Sequence, residues 1–226
     1  DYGIWVEQTA TDRTGMYRLT FTQDSDADIL VNLGGYIAST TMRNADVKKV
    51  SNNEIEGSFD TYGRHWGGPE NVKVHFVIRF DKDFERLDGW RDKERYSDID
   101  TLQGSSIITR RHPKEELSYL DSPTSGVSAH YRVKTGDKIC VRTAISYVSV
   151  DNARENLEND AVTWDFDLVK KTSQDEWNKW LGRIEVKGGS QKQRTKFYTD
   201  LWHVLLGRHK IDDVNGEYPD LTEGER

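Results

Sequence analysis

The segment VKVHFVIRF, residues 72–80, restricts the fold of this chain more than any other feature of the sequence. Its apolar side chains stand at every second position along most of its length, and Lys73, His75 and Arg79 stand between them. A period of two is that of a β-strand with one buried face, because successive side chains point to opposite faces of a sheet. Residues 72–80 are therefore predicted to form a strand that covers a hydrophobic core on one side.

Similar runs recur through the first 150 residues. MYRLTFT and VSAHYRV alternate in the same way, and ADILVNL and KICVRTAISYV are further β-rich segments. Turn sequences such as TGDK and SNNE lie between them, and repeated strands separated by turns are typical of an antiparallel sandwich. The sequence thus predicts a mainly β fold, with an N-terminal antiparallel β-sandwich at residues 1–150.

The pattern changes after this point. DNARENLEND has the character of a short helix, and DFDLVKKTSQDEWNKWLG carries apolar residues at helical spacing, acids in its first turn and Gly182 at its end. A third helix is predicted at about residues 191–207. Its apolar stripe consists of Phe197, Leu201, Val204 and Leu205. Such a stripe requires a packing partner, and little of the sequence remains to provide one.

The composition argues against several classes of function. The formal net charge is −7 over 226 residues, and the Lys and Arg residues are scattered, whereas a nucleic-acid groove or a site for anionic membranes needs a basic patch. No apolar stretch approaches the roughly 20 residues that a membrane-spanning helix needs. The single cysteine, Cys140, excludes an internal disulfide, and its apolar neighbours predict a buried side chain without nucleophilic function.

A polar loop near the end of the sequence is the first candidate for a functional site. Asp212, Asp213, Asn215 and Glu217 surround an Asn-Gly turn. These residue types supply positive φ angles and local hydrogen bonds, so a solvated turn is one interpretation. A calcium loop is another, but Ile211 stands where the EF-hand pattern needs an acid.

The second candidate is YGRHWGGP, residues 62–69, directly before the predicted strand. Arg64, His65 and Trp66 are residue types that hydrogen-bond hydroxyls and stack on the apolar face of a sugar ring. A hairpin loop in which Trp66 caps the core is the alternative. The six His residues show no metal-ligand spacing, and no phosphate-binding glycine loop or serine nucleophile elbow is visible.

A resemblance to glycoside hydrolase family 92, the calcium-dependent α-mannosidases, is carried by residues 182–221, GRIEVKGGSQKQRTKFYTDLWHVLLGRHKIDDVNGEYPDL. In that family a Gly-Gly pair, a helix similar to KFYTALYH and a loop similar to SDVNGRY open the catalytic domain. The same order is kept here, in Gly188-Gly189, then KFYTDLWH, then the DVNGEY segment. ISYVSVDNARENLEND and WDFDLVKKTSQDEWNKWLGRIEV resemble the family's last sandwich strand and linker helices.

The resemblance implies a particular domain order. We expect a β-sandwich of galactose-mutarotase-like fold at residues 1–150, a helical linker at 151–187 and, at 188–226, the first helix and first loop of an (α/α)6 catalytic barrel. In the family, the catalytic acid, the base and most calcium ligands lie in the barrel, beyond the last residue of this chain. No catalytic residue and no metal ligand is therefore expected in residues 1–226, and these residues alone are expected to be inactive.

The resemblance also implies a function. It is exo-acting, inverting hydrolysis of terminal α-mannosides of glycans, with α-1,2 linkages expected and Ca2+ as the cofactor. The expected partners are a mannose-containing glycan and the C-terminal (α/α)6 domain of the same polypeptide. The polar loop is expected to face the substrate, with Asp213, Asn215 and Asp212 contacting mannose. A substrate role is also expected for Arg64, His65 and Trp66.

A different class of function remains open. A non-catalytic carbohydrate-binding β-sandwich would use exposed Trp and Tyr side chains, of which the sequence has seven and ten in total, without performing chemistry. A glycan substrate favours export to a bacterial periplasm or cell surface, although a chain with one cysteine suits the cytoplasm equally well.

Overall fold

The structure is a computed structural model that describes residues 2–37, 40–62, 71–105, 124–160, 162–206 and 210–219, with the side chains of residues 36 and 37 left out. Its strands, β1 to β12, are Ile4–Ala10, Thr14–Phe21, Ser25–Asn32, Gly35–Ile37, Thr40–Ser51, Glu54–Tyr62, Asn71–Phe80, Arg86–Arg91, Glu94–Tyr96, Thr101–Gln103, Ser125–Val133 and Lys138–Ser146. Its helices are α1 (Val150–Asp160), α2 (Phe166–Leu181) and α3 (Gln191–Leu206).

The strands form two antiparallel sheets. The larger sheet has the order β1-β2-β12-β7-β6-β5-β10, with β4 paired to β5, and the smaller has the order β3-β11-β8-β9. Neighbouring strands of the larger sheet come from both ends of the strand region, since β12 lies between β2 and β7. The predicted mainly antiparallel β fold followed by helices is confirmed.

The core of the sandwich lies between the two sheets. Phe80 of the larger sheet and Tyr131 of the smaller one meet at a ring-centroid distance of 6.1 Å, and Phe84 stands edge-on to both. Ile55 and Val127 are fully buried in the same cluster. Burying side chains of this size stabilises a fold by about 1.5–3 kcal/mol each, so the core is the main source of stability.

Helices α1 and α2 cover the outer face of the larger sheet. Val77 and Ala144 of the sheet pack against Ala153 and Leu157 of α1. Residues 72–80 are thus buried on both faces at Val77, and the prediction of one buried face was incomplete because the covering helix lies about 80 positions further along the chain.

A second apolar cluster lies under α2, where Met16 and Cys140 pack against Phe166 and Val169. Burial raises the pKa of the Cys140 thiol to about 11, and the nearby charge of Asp81 adds to the increase. The thiol is therefore protonated at neutral pH and a poor nucleophile. The predicted buried, unreactive cysteine agrees with this position.

A buried carboxylate ties α1 to the sheet. Glu54 on β6 accepts hydrogen bonds from Arg79 of β7 and from Arg154 of α1. Arg154 also donates to Glu56 at 2.5 Å. Burial raises the pKa of Glu54, but the hydrogen bonds and charges of the two arginines outweigh it, so that the pKa is lowered overall.

The ends of α2 and α3 follow standard capping rules. Asp165 caps α2 by accepting from the backbone N–H of Leu168 at 3.0 Å, and the helix stops at Gly182 as predicted. Ser190 and Gln193 form a capping box at the start of α3, with the Ser190 N–H donating to Gln193 Oε1 at 2.7 Å. No residue of α3 is buried in the described structure, and Phe197 and Val204 of its apolar stripe are exposed.

No helix in the described ranges is long and apolar enough to cross a membrane.

Candidate functional site

The polar loop at residues 210–219, here called the docked loop, lies against the sandwich and α1. It closes on itself through two backbone hydrogen bonds: the Gly216 N–H donates to the carbonyl of Asp213 at 2.9 Å, and the Asp213 N–H donates to the carbonyl of Glu217 at 2.7 Å. Gly216 has a φ of +87°, in the region that favours glycine. The predicted Asn-Gly turn is therefore present, and its geometry is fixed by these bonds.

The Asp213 carboxylate is the anchor of the docked loop. It is only 3% exposed. One oxygen accepts from the Ser146 hydroxyl at 2.6 Å and from the Asn152 side-chain amide at 2.8 Å, and the other accepts from the Asn156 side-chain amide at 2.7 Å. All three donors are neutral, so the buried charge is stabilised by hydrogen bonds without a direct cationic partner among the described residues.

Strand β12 and helix α1 supply these donors from adjacent positions. Ser146 is the last residue of β12, and Ser149 starts α1 by accepting from the Asn152 N–H at 3.0 Å. Asn152 and Asn156 are four residues apart, so they share one face of the helix. Asn156 also accepts from the Val214 N–H at 2.8 Å, which fixes the backbone directly after Asp213.

Arg13 forms a second attachment between the docked loop and the sandwich. Its guanidinium donates to the Asp212 carbonyl at 2.8 Å and to the Asp212 carboxylate at 3.1 Å. Its backbone N–H donates to Asp160 at the end of α1 at 2.8 Å. An ion pair between Lys210 and Asp12 lies beside this contact. The loop is therefore held at two points, one buried and one half-exposed.

A cavity of about 310 Å³ lies between the docked loop, the turn that joins β1 to β2, and the end of β12. Its polar lining includes Thr11, Arg13, Tyr147, Lys210 and Asp212, and Ser146, Asn156 and Asp213 also line it. This volume is at the lower end of the range for small-molecule sites. Asn215 and Glu217 lie on the exposed side of the loop, where Asn215 donates to Glu155 at 3.0 Å.

His75 lies on the outer face of the larger sheet, the face that α1 and α2 cover, and it is paired with Ser146 in the strand register. Burial lowers its pKa and Lys73 lowers it further, while the charges of Asp213 and Asp60 oppose the decrease. The imidazole is therefore neutral at physiological pH.

The structure brings three of the six predicted site residues together. Asp212, Asp213 and Asn215 share the docked loop, but Asp213 points into the protein while Asn215 is exposed. Their predicted contacts with mannose stay predictions. Arg64, His65 and Trp66 lie outside the described residues.

A calcium site does not fit the described part of the chain. Ca2+ takes six to eight oxygen ligands, and the described ranges contain no group of three or more His, Cys, Asp or Glu side chains that could hold a metal ion. Both oxygens of Asp213 already accept hydrogen bonds from side chains, so this carboxylate is not free to bind a cation.

Sequence reasoning missed the residues that hold the docked loop: Arg13, Ser146, Asn152 and Asn156. A signal was present in DNARENLEND, where two asparagines recur at a spacing of four beside Ala153 and Leu157, which have the same spacing. Asparagine next to the apolar stripe of a helix indicates a buried amide that needs partners.

Comparison with known protein families shows to which family the chain belongs. A sequence profile described as Glycosyl hydrolase family 92 N-terminal domain matches residues 1–146. The chain belongs to glycosyl hydrolase family 92. A second profile, described as Glycosyl hydrolase family 92 catalytic domain, matches residues 152–225, so the family 92 resemblance is confirmed for the strands and for the helices that follow them. The finer division into a linker at 151–187 and a barrel start at 188–226 stays a prediction.

Solved structures of family 92 share the fold. The family GH92 α-mannosidase BT3965 from Bacteroides thetaiotaomicron matches with a TM-score of 0.76 and 23% identity over 96% of this chain and 27% of its own. The family GH92 inverting mannosidase BT2199 from the same organism matches with a TM-score of 0.75 and 18% identity over 98% of this chain and 27% of its own. The chain thus spans about a quarter of the length of these proteins. None of the curated proteins matched the chain by sequence.

Proposed function

We propose that this chain is the N-terminal part of an exo-acting, inverting, calcium-dependent α-mannosidase that hydrolyses terminal α-mannosides of glycans, α-1,2 linkages among them. The observation that carries the proposal is the pair of family 92 profiles, N-terminal and catalytic, that meet at residues 146–152. The two solved relatives support it, since one is an α-mannosidase that was also solved in complex with mannoimidazole and the other is an inverting mannosidase.

In this proposal the docked loop contributes to the glycan site. Asp212 and Asn215 expose oxygen atoms and amide hydrogens that can bond sugar hydroxyls, and charged acceptors hold hydroxyls more strongly than neutral ones. Asp213 would support them from the buried side or, as the sequence predicts, contact mannose itself. The segment with Arg64, His65 and Trp66 is proposed to bind substrate as well.

The two reacting carboxyl groups are assigned to the C-terminal domain of the same polypeptide. An inverting glycosidase needs a general acid and a general base roughly 6.5–9.5 Å apart, with water between the base and the sugar. Asp212, Asp213 and Glu217 belong to one short loop that can line only one side of a sugar. Calcium, which helps to bind and distort the mannose, is assigned to that domain too.

The exposed apolar surface of α2 and α3 supports contact with the C-terminal (α/α)6 domain. Trp177 and Trp202 meet at 6.1 Å between the two helices, and beside Trp202 lies a groove of about 490 Å³. Val204 is 69% exposed on the predicted stripe. Apolar side chains in such a position are the expected docking face for further helices of a barrel.

The proposal is tested by expressing residues 1–226 and the full-length gene product side by side. Both are assayed on α-1,2-, α-1,3- and α-1,6-linked mannobiosides, with calcium and with a chelator, and NMR follows the anomer that is released first. We expect turnover by the full-length protein alone, loss of activity with the chelator and initial release of the β-anomer. Turnover by residues 1–226, or a full-length protein inactive on every α-mannoside, would contradict the proposal.

A non-catalytic carbohydrate-binding module is the competing function. It is favoured by binding of mannosides to residues 1–226 together with a natural gene that ends soon after Arg226. For the cellular location, we propose export to a bacterial periplasm or cell surface, which fractionation of the source cells tests directly.

A further inference from the structure

A buried carboxylate surrounded by three uncharged donors is the least ordinary feature of the docked loop. Transferring a charge out of water is costly, and the cost is offset only if the oxygens remain hydrogen-bonded. Asp213 meets this condition through Ser146, Asn152 and Asn156. An ionised carboxylate only accepts hydrogen bonds, so all three donor groups must point at it. The carboxylate therefore fixes the position of three protein groups as well as its own.

These donors fix the part of the loop that faces solvent. Asn156 binds Asp213 with its amide nitrogen and the Val214 N–H with its oxygen, so it holds two consecutive residues at once. Asn152 donates to Asp213 and also to Glu217 at 2.8 Å, which joins both sides of the turn. Asn215 lies between these clamped positions and is the exposed residue of the turn.

Direct contact between Asp213 and a sugar is difficult in this arrangement. The side chain is almost fully buried, and both of its oxygens already accept short hydrogen bonds from protein groups. Asn152 and Asn156 each donate one further hydrogen bond, to Glu217 and to the Ile145 carbonyl. Turning Asp213 toward a ligand would therefore leave one amide hydrogen of each asparagine unpaired, which costs free energy for each unpaired donor.

We propose that Asp213 is a positioning residue, and that the cluster of Asp213, Ser146, Asn152 and Asn156 sets the docked loop so that Asp212 and Asn215 meet the glycan in a fixed geometry. The inference rests on the proposed function of the loop as part of the glycan site. It differs from the sequence-based prediction, in which Asp213 binds mannose, and it assigns a function to three buried residues that the prediction did not include.

The test uses the full-length enzyme with calcium and compares KM and kcat for four variants. Asp213→Asn turns one acceptor oxygen into an amide that faces a donor, and it is expected to lower kcat/KM by about 10- to 100-fold, mainly through KM. Ser146→Ala and Asn152→Ala remove one donor each and are expected to lower kcat/KM in the same way by about 3- to 10-fold. Asn159→Ala is the matched control, because this asparagine lies on the exposed side of α1, where its side chain donates to the Glu155 carbonyl of the same helix.

Thermal unfolding of each variant separates a positioning role from a loss of folded protein. Asn152→Ala keeps the inference testable if Asp213→Asn does not fold, since it changes one donor in the first turn of α1. A defect in Asp213→Asn that Ser146→Ala and Asn152→Ala do not share would overturn the positioning role in favour of direct contact. A lowered Tm with wild-type KM in the three cluster variants would show that the cluster stabilises the fold but does not position the loop for substrate binding.

The failure of the proposed function has a different signature. A wild-type enzyme that cleaves no α-mannoside would contradict that function, and this role of Asp213 with it. A wild-type enzyme that is active, together with variants of unchanged KM, would overturn the positioning role alone.

Discussion

The sandwich and helix α3 differ in how much of their apolar surface the described chain covers. Phe80, Ile55 and Val127 are fully enclosed between the two sheets, whereas α3 has no buried residue in sixteen. Both segments have the periodicity of their secondary structure. The difference shows that amphipathic pattern predicts an element, while its stability depends on whether a partner surface is present.

The docked loop differs from α3, although both belong to the C-terminal part of the chain. It comes after α3 in the chain, but it is attached to the sandwich through Asp213 and Arg13, while α3 packs against α2 and hydrogen-bonds the segment between the two helices through Tyr198. The C-terminal region is therefore held most firmly at a polar loop. Three substitutions, in order of decreasing expected effect, test this comparison.

The largest effect is expected in the sandwich core. Phe80→Ala leaves a cavity among Phe84, Tyr131 and their neighbours, and it should lower the free energy of unfolding by about 3–5 kcal/mol. Urea unfolding of residues 1–226 measures the change. Leu30→Ala on β3, where the side chain is 66% exposed, is the control and should change stability by less than about 0.5 kcal/mol. Equal effects of the two substitutions would show that the sandwich is not packed as described.

An intermediate effect is expected where α1 joins the sheet. The pKa of Glu54 is lowered in the folded protein, so its contribution is fully present above the ordinary value of 4.5 and is lost as the pH falls through the lowered value. Glu54→Gln should cost about 1–3 kcal/mol at pH 7, because Arg79 and Arg154 lose their anionic partner. The cost should shrink when unfolding is measured below pH 4.5.

The exposed ion pair between Glu85 and Arg132, 3.5 Å apart, provides the control for this substitution. Glu85→Gln should change stability by no more than about 1 kcal/mol at either pH, since solvent screens the pair. If Glu54→Gln were equally mild at pH 7, the join between α1 and the sheet would not depend on the buried carboxylate.

The smallest effect is expected on α3. Val204→Ser should change the stability of residues 1–226 by less than about 0.5 kcal/mol, because the side chain is 69% exposed. In the full-length protein the same substitution should cost more, because the stripe is proposed to pack on the C-terminal domain. Parallel thermal unfolding of the two proteins checks this, and identical shifts would argue against that packing.

Local pattern predicted most of the fold. The alternation at residues 72–80 placed a strand, and helical spacing with Gly182 at the end placed α2. The third helix, expected at about 191–207, is found at Gln191–Leu206. These strands and helices could be predicted because their hydrophobic patterns and end residues lie within ten to twenty residues of sequence.

The tertiary contacts of the docked loop could not be predicted from local patterns of this kind. Asp213 meets its three donors across 57 to 67 positions of sequence, and no local pattern links them. An acid in a Gly-containing turn is usually solvated. The local sequence therefore does not predict that the Asp213 side chain is buried. Only the paired asparagines of α1 indicated that something polar had to pack there.

The long separation of these contacts has a consequence for the order of folding. The Arg13 contact with Asp212 spans 199 positions, and β12 must first insert between β2 and β7 before the edge that receives the docked loop exists. Once the sandwich has formed, the remaining closure runs from Ser146 to Asp213, 67 positions apart, and its entropic cost rises only slowly with length. During synthesis from the N-terminus, the sandwich can therefore fold first, and the loop joins it as a late step.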